Sequence, residues 1–427
     1  PQAGGKIAME TGATSISQQG GGGLASPRYQ SLLVALLGVN MGIVFLDRNA
    51  FNLLAPMIQP EFGLSNTQIG MITGILAATW ALSSFGLNRL ADITGKSKML
   101  LVVATIVFSL ASISSGLAVG FLTLLAARAL MGLAEGGLPP LSTHIVSSEV
   151  APERRGLAIG VLSTVGINAI PMLGPIVIVG IGTLYGWREA FWIAGVPGLI
   201  LAGLIWMFVR NPPRNALHED APKGSVIPLL KVRNIRFTMA LATLNMTFFA
   251  GFLGFGPLYL VNVLGLSNEM MGIVLTSSAA AGIFFGFFFP MLSDRVGRRP
   301  AIISSFLVAA LGTVLLATSD GNLALVFIGA MLAGAGSTGS GILIMVVIPG
   351  ESAPPHLKAT AMGFNAAVGE MLGAGAMPIV IGLFADEFGL SILPWFLLVV
   401  IALLVAVTLG LRETAPRLVE RAAAAPA

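Results

Sequence analysis

Five ionisable residues stand in apolar runs where a membrane would leave them no water. Asp47 and Arg48 are neighbours in FLDRNAFNLLAP (45–56), behind the uncharged run SLLVALLGVNMGIVFL. Arg128 and Glu135 share RALMGLAEGGLPP (128–140), and Glu370 lies in FNAAVGEMLGAGAMP (364–378). An ionised group at bilayer depth costs several kcal/mol unless it faces a protein interior or a wet cavity and finds a partner. The five are therefore expected to converge in one water-accessible cavity, and that cavity is expected to move a solute.

Each group has a chemistry to offer. An arginine stays charged and can grip a carboxylate with two donors, so Arg48 and Arg128 are candidates for binding an anionic substrate. A carboxylate taken from water and left without a fixed cation favours its protonated form. Asp47, Glu135 and Glu370 are accordingly candidate proton carriers. Arg128 and Glu135 are seven residues apart, about two helical turns, and point to nearly the same face. Gly132, Ala134, Gly136 and Gly137 are expected to keep that face open, and Pro139 and Pro140 to bend the helix. The structural alternative for both pairs is an internal salt bridge that only specifies packing. Glu370 has several options: it can be protonated, pair with Arg48 or Arg128 across the cavity, or bind a cationic or hydroxyl-rich substrate. Its structural alternative is a neutral buried acid bonded to a carbonyl.

Uncharged polar residues at mid-span depth are Asn40, Asn168, Asn245, Ser277, Ser278, Ser337, Thr338, Ser340 and Asn365. Taken singly, such a residue is more often a helix–helix contact. Asn168 and Asn245, near span centres, are the stronger substrate-binding candidates, with Asn365 and Ser337 beside them. Trp80, Phe248, Phe249 and Tyr259 are open between lining the cavity and packing. His144, at the end of the fourth run, can relay protons but reads more simply as structural.

The elements that must position these groups follow from composition. The chain has 427 residues, 55% hydrophobic and 10% charged, against roughly 25% charged in soluble domains. With a mean hydropathy of +0.89, it reads as an all-α polytopic membrane protein. There is no cysteine, which excludes disulfides and thiolate metal sites. Apolar runs fall at about 29–54, 68–91, 99–118, 121–147, 156–180, 189–209, 237–263, 269–292, 300–318, 322–348, 358–384 and 390–411. Each is near the ~20 residues that cross a hydrocarbon core, and helices satisfy the backbone there. The expected organisation is a flexible Gly/Ser-rich tail (1–27), a six-helix bundle (28–210), a linker (211–235), a second bundle (236–413) and a tail (414–427). All but Arg48, Arg128 and Arg188 of the 23 lysines and arginines then fall on one side, which assigns both termini and the linker to the cytoplasm. A pI near 9.7 could point to nucleic acid, but the basic residues are scattered in short clusters between spans, so no nucleic acid is expected. No signal peptide is expected before the first run.

The halves echo each other. Asp294 and Gly297 lie 202 residues after Asp92 and Gly95, and Glu351 and Pro354 lie the same distance after Glu149 and Pro152. Two motifs at one offset indicate a duplicated six-helix unit. With the loop GLNRLADITGK (86–96), this arrangement resembles the major facilitator superfamily over roughly residues 28–413. The resemblance implies two bundles rocking about a central site. It gives Arg89, Asp92, Lys96, Asp294 and Arg298 a gating role; otherwise they are turn residues and topology anchors.

Within the superfamily, Leu46-Asp47-Arg48-Asn49 with Ala55-Pro56, and Arg128 with Gly132, Glu135 and Pro139, resemble the anion:cation symporter family. That family includes bacterial sugar-acid/proton symporters and the phosphate, sialic acid and glutamate carriers of animals. The resemblance implies that Arg48 and Arg128 bind a substrate carboxylate while Asp47 and Glu135 take protons. Glu370 departs from the family pattern, since a third acid would repel an anion if ionised. Spinster-type lysolipid transporters look similar in having an acid-base pair on span 1 and an acid on span 4.

The expected function is proton-coupled symport of a small carboxylate by alternating access, in a monomer embedded in the lipid bilayer of a bacterial inner (cell) membrane. No cofactor is expected beyond a proton as coupling ion, with sodium left open. Competing readings are a proton-driven exporter of an amphiphile such as a lysolipid or drug, and a transporter-like receptor without turnover. No phosphate-binding loop, metal-ligand cluster or catalytic triad stands out, so neither an ATP-driven pump nor an enzyme is expected.

Overall fold

A computed structural model of the chain describes residues 26–212 and 227–418. Most of the expected N-terminal tail, the middle of the linker and the last part of the C-terminal tail lie outside the described residues. Twelve helices among those described are long and apolar enough to cross a membrane. They are α1 (Pro27–Phe62), α2 (Asn66–Thr94), α3 (Ser97–Gly116), α4 (Phe121–Glu149), α5 (Pro152–Tyr185) and α6 (Trp187–Phe208), then α7 (Arg233–Val263), α8 (Asn268–Val296), α9 (Arg298–Ala317), α10 (Leu323–Ser352), α11 (Pro355–Phe388) and α12 (Leu390–Thr408). The first six and the last six form two pseudo-symmetric bundles. Starts and stops follow local chemistry: a Ser65–Gln68 capping box opens α2, and Gly95, at φ 66°, closes it in a left-handed turn.

Several of these helices are broken where the sequence places ionisable or amide side chains. α1 runs as Pro27–Arg48, pauses at Asn49, and resumes as Ala50–Phe62. α4 ends its first part at Glu135 and restarts at Leu138, ahead of Pro139 and Pro140. Wider π-type turns occupy Thr164–Ala169 in α5 and Gly369–Ala376 in α11. Irregular backbone at membrane depth is tolerated where it is buried in protein or lines a cavity, because neighbours there can satisfy the freed groups.

The bundles meet tightly on the face opposite the chain termini. A Cβ added at Gly74 of α2 would come within 2.1 Å of the Gly375 carbonyl oxygen of α11, so only backbone fits between these helices. At the end of the same contact, Asp386 of α11 caps the first turn of α2. Its carboxylate accepts from the backbone N–H groups of Asn66 (2.8 Å) and Thr67 (2.9 Å) and from the Thr67 hydroxyl (2.6 Å). Nearby, Asn262 donates to Gln59 at 3.3 Å.

The terminal face is different. Arg89, Asp92 and Lys96 are exposed there, and their side chains make no hydrogen bond among the described residues. Their counterparts in the second half are engaged inside that half. Arg298 pairs with Asp294 at 2.7 Å and with Glu351 at 2.6 Å. Glu413, just past α12, accepts from the backbone N–H of Arg298 at 2.8 Å and so caps α9.

Candidate functional site

A cavity of about 530 Å³ lies between the bundles, walled by α1, α2, α4 and α5 on one side and α7, α8, α10 and α11 on the other. Its ionisable lining is Arg48, Arg128 and Glu370. Arg48 ends the first part of α1, and Glu370 sits in the π-type turn of α11. The two form an ion pair that joins the bundles across the cavity, one of the options open for Glu370 from sequence. The Arg48 guanidinium also lies over the Trp80 ring, 5.0 Å from its centroid.

Arg128 is held differently. It is 1% exposed yet forms part of the cavity wall. Phe51 and Phe191 flank its guanidinium with centroids at 5.4 and 5.3 Å. Nη1 reaches the Arg48 carbonyl at 3.5 Å and the Met131 sulfur at 3.3 Å. Nε and Nη2 have no hydrogen-bond partner among the described residues. Leaving buried donors unmet costs about 1–3 kcal/mol or more, so an acceptor arriving from the cavity would relieve that cost.

Asp47 and Glu135 are fully buried and stand behind the wall rather than on it. No donor bonds either carboxylate among the described residues: the hydroxyl near Asp47, that of Ser112, donates instead to the Phe191 carbonyl at 3.2 Å. Both interact electrostatically with Arg128, and Glu135 also with Arg48 and Asp47, so the two acids stand one layer behind the two arginines in one charged group. The small residues of α4 do not open this face. A Cβ at Gly132 would strike the Leu76 carbonyl oxygen at 2.4 Å and one at Gly136 the Trp80 carbonyl oxygen at 2.2 Å. These glycines let α2 and α4 pack backbone to backbone and so carry Trp80 to its place under Arg48.

The amide and hydroxyl candidates divide. Asn168 and Ser337 line the cavity, and the Ser337 hydroxyl is unpartnered among the described residues. Asn245 and Asn365 do not line it; Asn365 donates to the Ile344 carbonyl at 3.0 Å, a contact between α11 and α10. Asn40 bonds Thr105 at 3.3 Å, and Ser278, though on the wall, donates to the Ala330 carbonyl at 2.7 Å. Trp80 and Phe249 line the cavity, whereas Phe248 is buried against Phe252 and the Tyr259 hydroxyl donates to Leu316. Sequence reasoning missed Asn52, which lines the wall four residues after Arg48 and accepts from Thr73 at 2.8 Å. The i,i+4 spacing from Arg48 was the available signal. It also missed the Asp386 cap.

A family model described as Major Facilitator Superfamily matches residues 37–284 and 260–427. Over 253 residues the chain is 34% identical to the hexuronate transporter of Bacillus subtilis (strain 168), a match spanning 57% of this chain and 58% of that protein. It is 27% identical over 357 residues to the "Probable 4-methylmuconolactone transporter" of Cupriavidus pinatubonensis, covering 81% of each. A solved bacterial homologue of the human lysosomal transporter Spinster, in an inward-facing and occupied conformation, superposes with a TM-score of 0.76 at 20% identity, covering 90% of this chain and 97% of that one. That likeness is one of fold. The chain belongs to the major facilitator superfamily, as a multi-pass secondary transporter and not an enzyme.

Proposed function

We propose that the protein is a proton-coupled symporter of a small organic anion, a sugar acid or another carboxylate. The observation that carries this is Arg128, a buried guanidinium with two unpartnered nitrogens on the wall of the inter-bundle cavity. A substrate carboxylate supplies the missing acceptors. Asp47 and Glu135 beside it carry the coupling protons, because an ionised carboxylate enclosed without a hydrogen bond is costly and a proton removes that cost. Glu370 adds a third proton-accepting group that competes for Arg48. Asn168 and Ser337 offer hydrogen bonds to such polar groups as the substrate carries beside its carboxylate. The Lys/Arg-rich terminal face is cytoplasmic in a bacterial inner membrane, which makes the state closed at the Asp386 cap the inward-facing one. Arg89, Asp92 and Lys96 then engage the second bundle when that face closes, and Asp294 and Arg298 hold the second bundle's own helix ends.

The test is uptake of radiolabelled glucuronate and benzoate into proteoliposomes under an imposed pH gradient, with Arg128→Gln. Gradient-driven accumulation of one of these anions, abolished in the variant, is the expected result. Transport retained in Arg128→Gln would favour amphiphile export instead.

A further inference from the structure

We infer that the cavity selects a monocarboxylate with an apolar, ring-sized body over polyhydroxylated sugar acids and over dicarboxylates. This rests on the anion-binding reading above and narrows it. The first argument is a count of charge. Arg48, Arg128 and Glu370 are the ionisable side chains on the wall, and Arg48 is already paired with Glu370. Arg128 is left as the wall arginine with no carboxylate bonded to it, and its two unpartnered nitrogens are enough for one carboxylate held by two bonds. A second carboxylate would meet Glu370 or apolar surface, and Asp47 and Glu135 stand close behind Arg128.

The second argument is a count of hydrogen-bonding groups. Of the uncharged polar side chains on the wall, Asn49 donates to the Phe45 carbonyl, Thr73 to Asn52 and Ser278 to the Ala330 carbonyl. Asn168, Ser337 and Thr338 remain without a hydrogen-bond partner among the described residues, as do the Asn52 amide nitrogen and the Trp80 indole nitrogen. A sugar acid brings several hydroxyls, and each one buried here without a partner weakens binding. On its side of the cavity the second bundle presents Met246, Phe249, Phe252, Leu253, Leu275 and Met345. A flat apolar ring gains dispersion and hydrophobic contact on that surface while its carboxylate reaches Arg128. Methionines at two positions let the wall adapt to rings of different outline.

The experiment is calorimetric titration of the full chain, purified in detergent, with benzoate, phenylacetate, phthalate, glucuronate and galactonate. Benzoate and phenylacetate are expected to bind at least tenfold more tightly than glucuronate, galactonate or phthalate. Phe249→Asn, at a side chain 40% exposed and so safe for folding, is expected to shrink the benzoate-to-glucuronate ratio about fivefold. Glucuronate or phthalate binding as tightly as benzoate would overturn the inference and leave anion transport standing. An unmoved ratio in Phe249→Asn would remove the apolar wall as the source of selectivity. Failure of every carboxylate in the panel to bind would overturn both this inference and the anion reading.

Discussion

Glu370 gives the sharpest prediction, because its removal should improve binding. In the structure Glu370 pairs with Arg48 as a tethered carboxylate, so a substrate anion must compete with it for the charge of Arg48. The two side chains are 17% and 14% exposed, partly shielded from water and partly screened. A hydrogen bond involving a charged group is worth about 1.5–3 kcal/mol, and partial exposure brings the recoverable part to about 1–2 kcal/mol. Glu370→Gln should therefore tighten benzoate binding roughly 5- to 30-fold at neutral pH. In an Arg48→Gln background the same change should shrink below about threefold, because the competition is for Arg48. Calorimetric titration of the four proteins closes this cycle. Uptake should move the other way, with gradient-driven accumulation falling as affinity rises, since a proton on Glu370 no longer controls Arg48. Weaker or unchanged benzoate binding in Glu370→Gln would refute the reasoning.

Two further expectations concern the ends of the helices. Losing a side-chain helix cap costs about 0.5–2 kcal/mol, so Asp386→Ala should open the α2–α11 contact and raise the population accessible from that face several-fold. The chain has no cysteine, so Thr73→Cys on the cavity wall provides a unique site for an impermeant maleimide; unchanged labelling in Asp386→Ala would count against the cap as a latch. Glu413 makes a pH prediction. Burial works against its charge, but backbone N–H donors of Arg298, Ala415, Arg299 and Thr414 outweigh it and hold the carboxyl below its usual range. A lowered folded-state value gives stability that is complete above the ordinary carboxylate range and is lost as pH falls through the lowered one. Protection from hydrogen exchange at the start of α9, taken relative to the intrinsic rate at each pH, should therefore fall in acid, and Glu413→Gln should show that lower protection already at neutral pH; a loss of protection in acid that survives the substitution would exclude Glu413 as its origin.

The twelve spans were legible because each apolar run is long and each loop polar, and the duplicated loops fixed the two-bundle arrangement. The charged residues that gather at the centre were legible for the same reason: ionised groups have nowhere else to go in lipid. Which side chains face the cavity was not. A helix apolar on all sides carries no period that separates lipid from core, so Asn245 and Asn168 looked alike at mid-span. The π-type turn at Gly369–Ala376 also shifts the rotational phase of α11, so counting at 3.6 residues per turn does not carry across it. Gly132 and Gly136 read equally well as an open face or a close approach, and the partner that decides, the α2 backbone, is distant in sequence. Asp386 sits in an unremarkable helix end, and its role depends on a helix start more than 300 residues earlier.

The most direct measurement is proton movement tied to substrate entry. Proteoliposomes with a trapped pH dye, no imposed gradient and external benzoate at millimolar concentration should show lumenal acidification well above that of protein-free vesicles, which corrects for passive entry of the neutral acid. Asp47→Asn and Glu135→Gln should lose this excess while still exchanging labelled benzoate. Excess acidification that persists undiminished in both variants, or benzoate exchange with no proton movement in the unmodified protein, would contradict proton-coupled symport through these buried carboxylates.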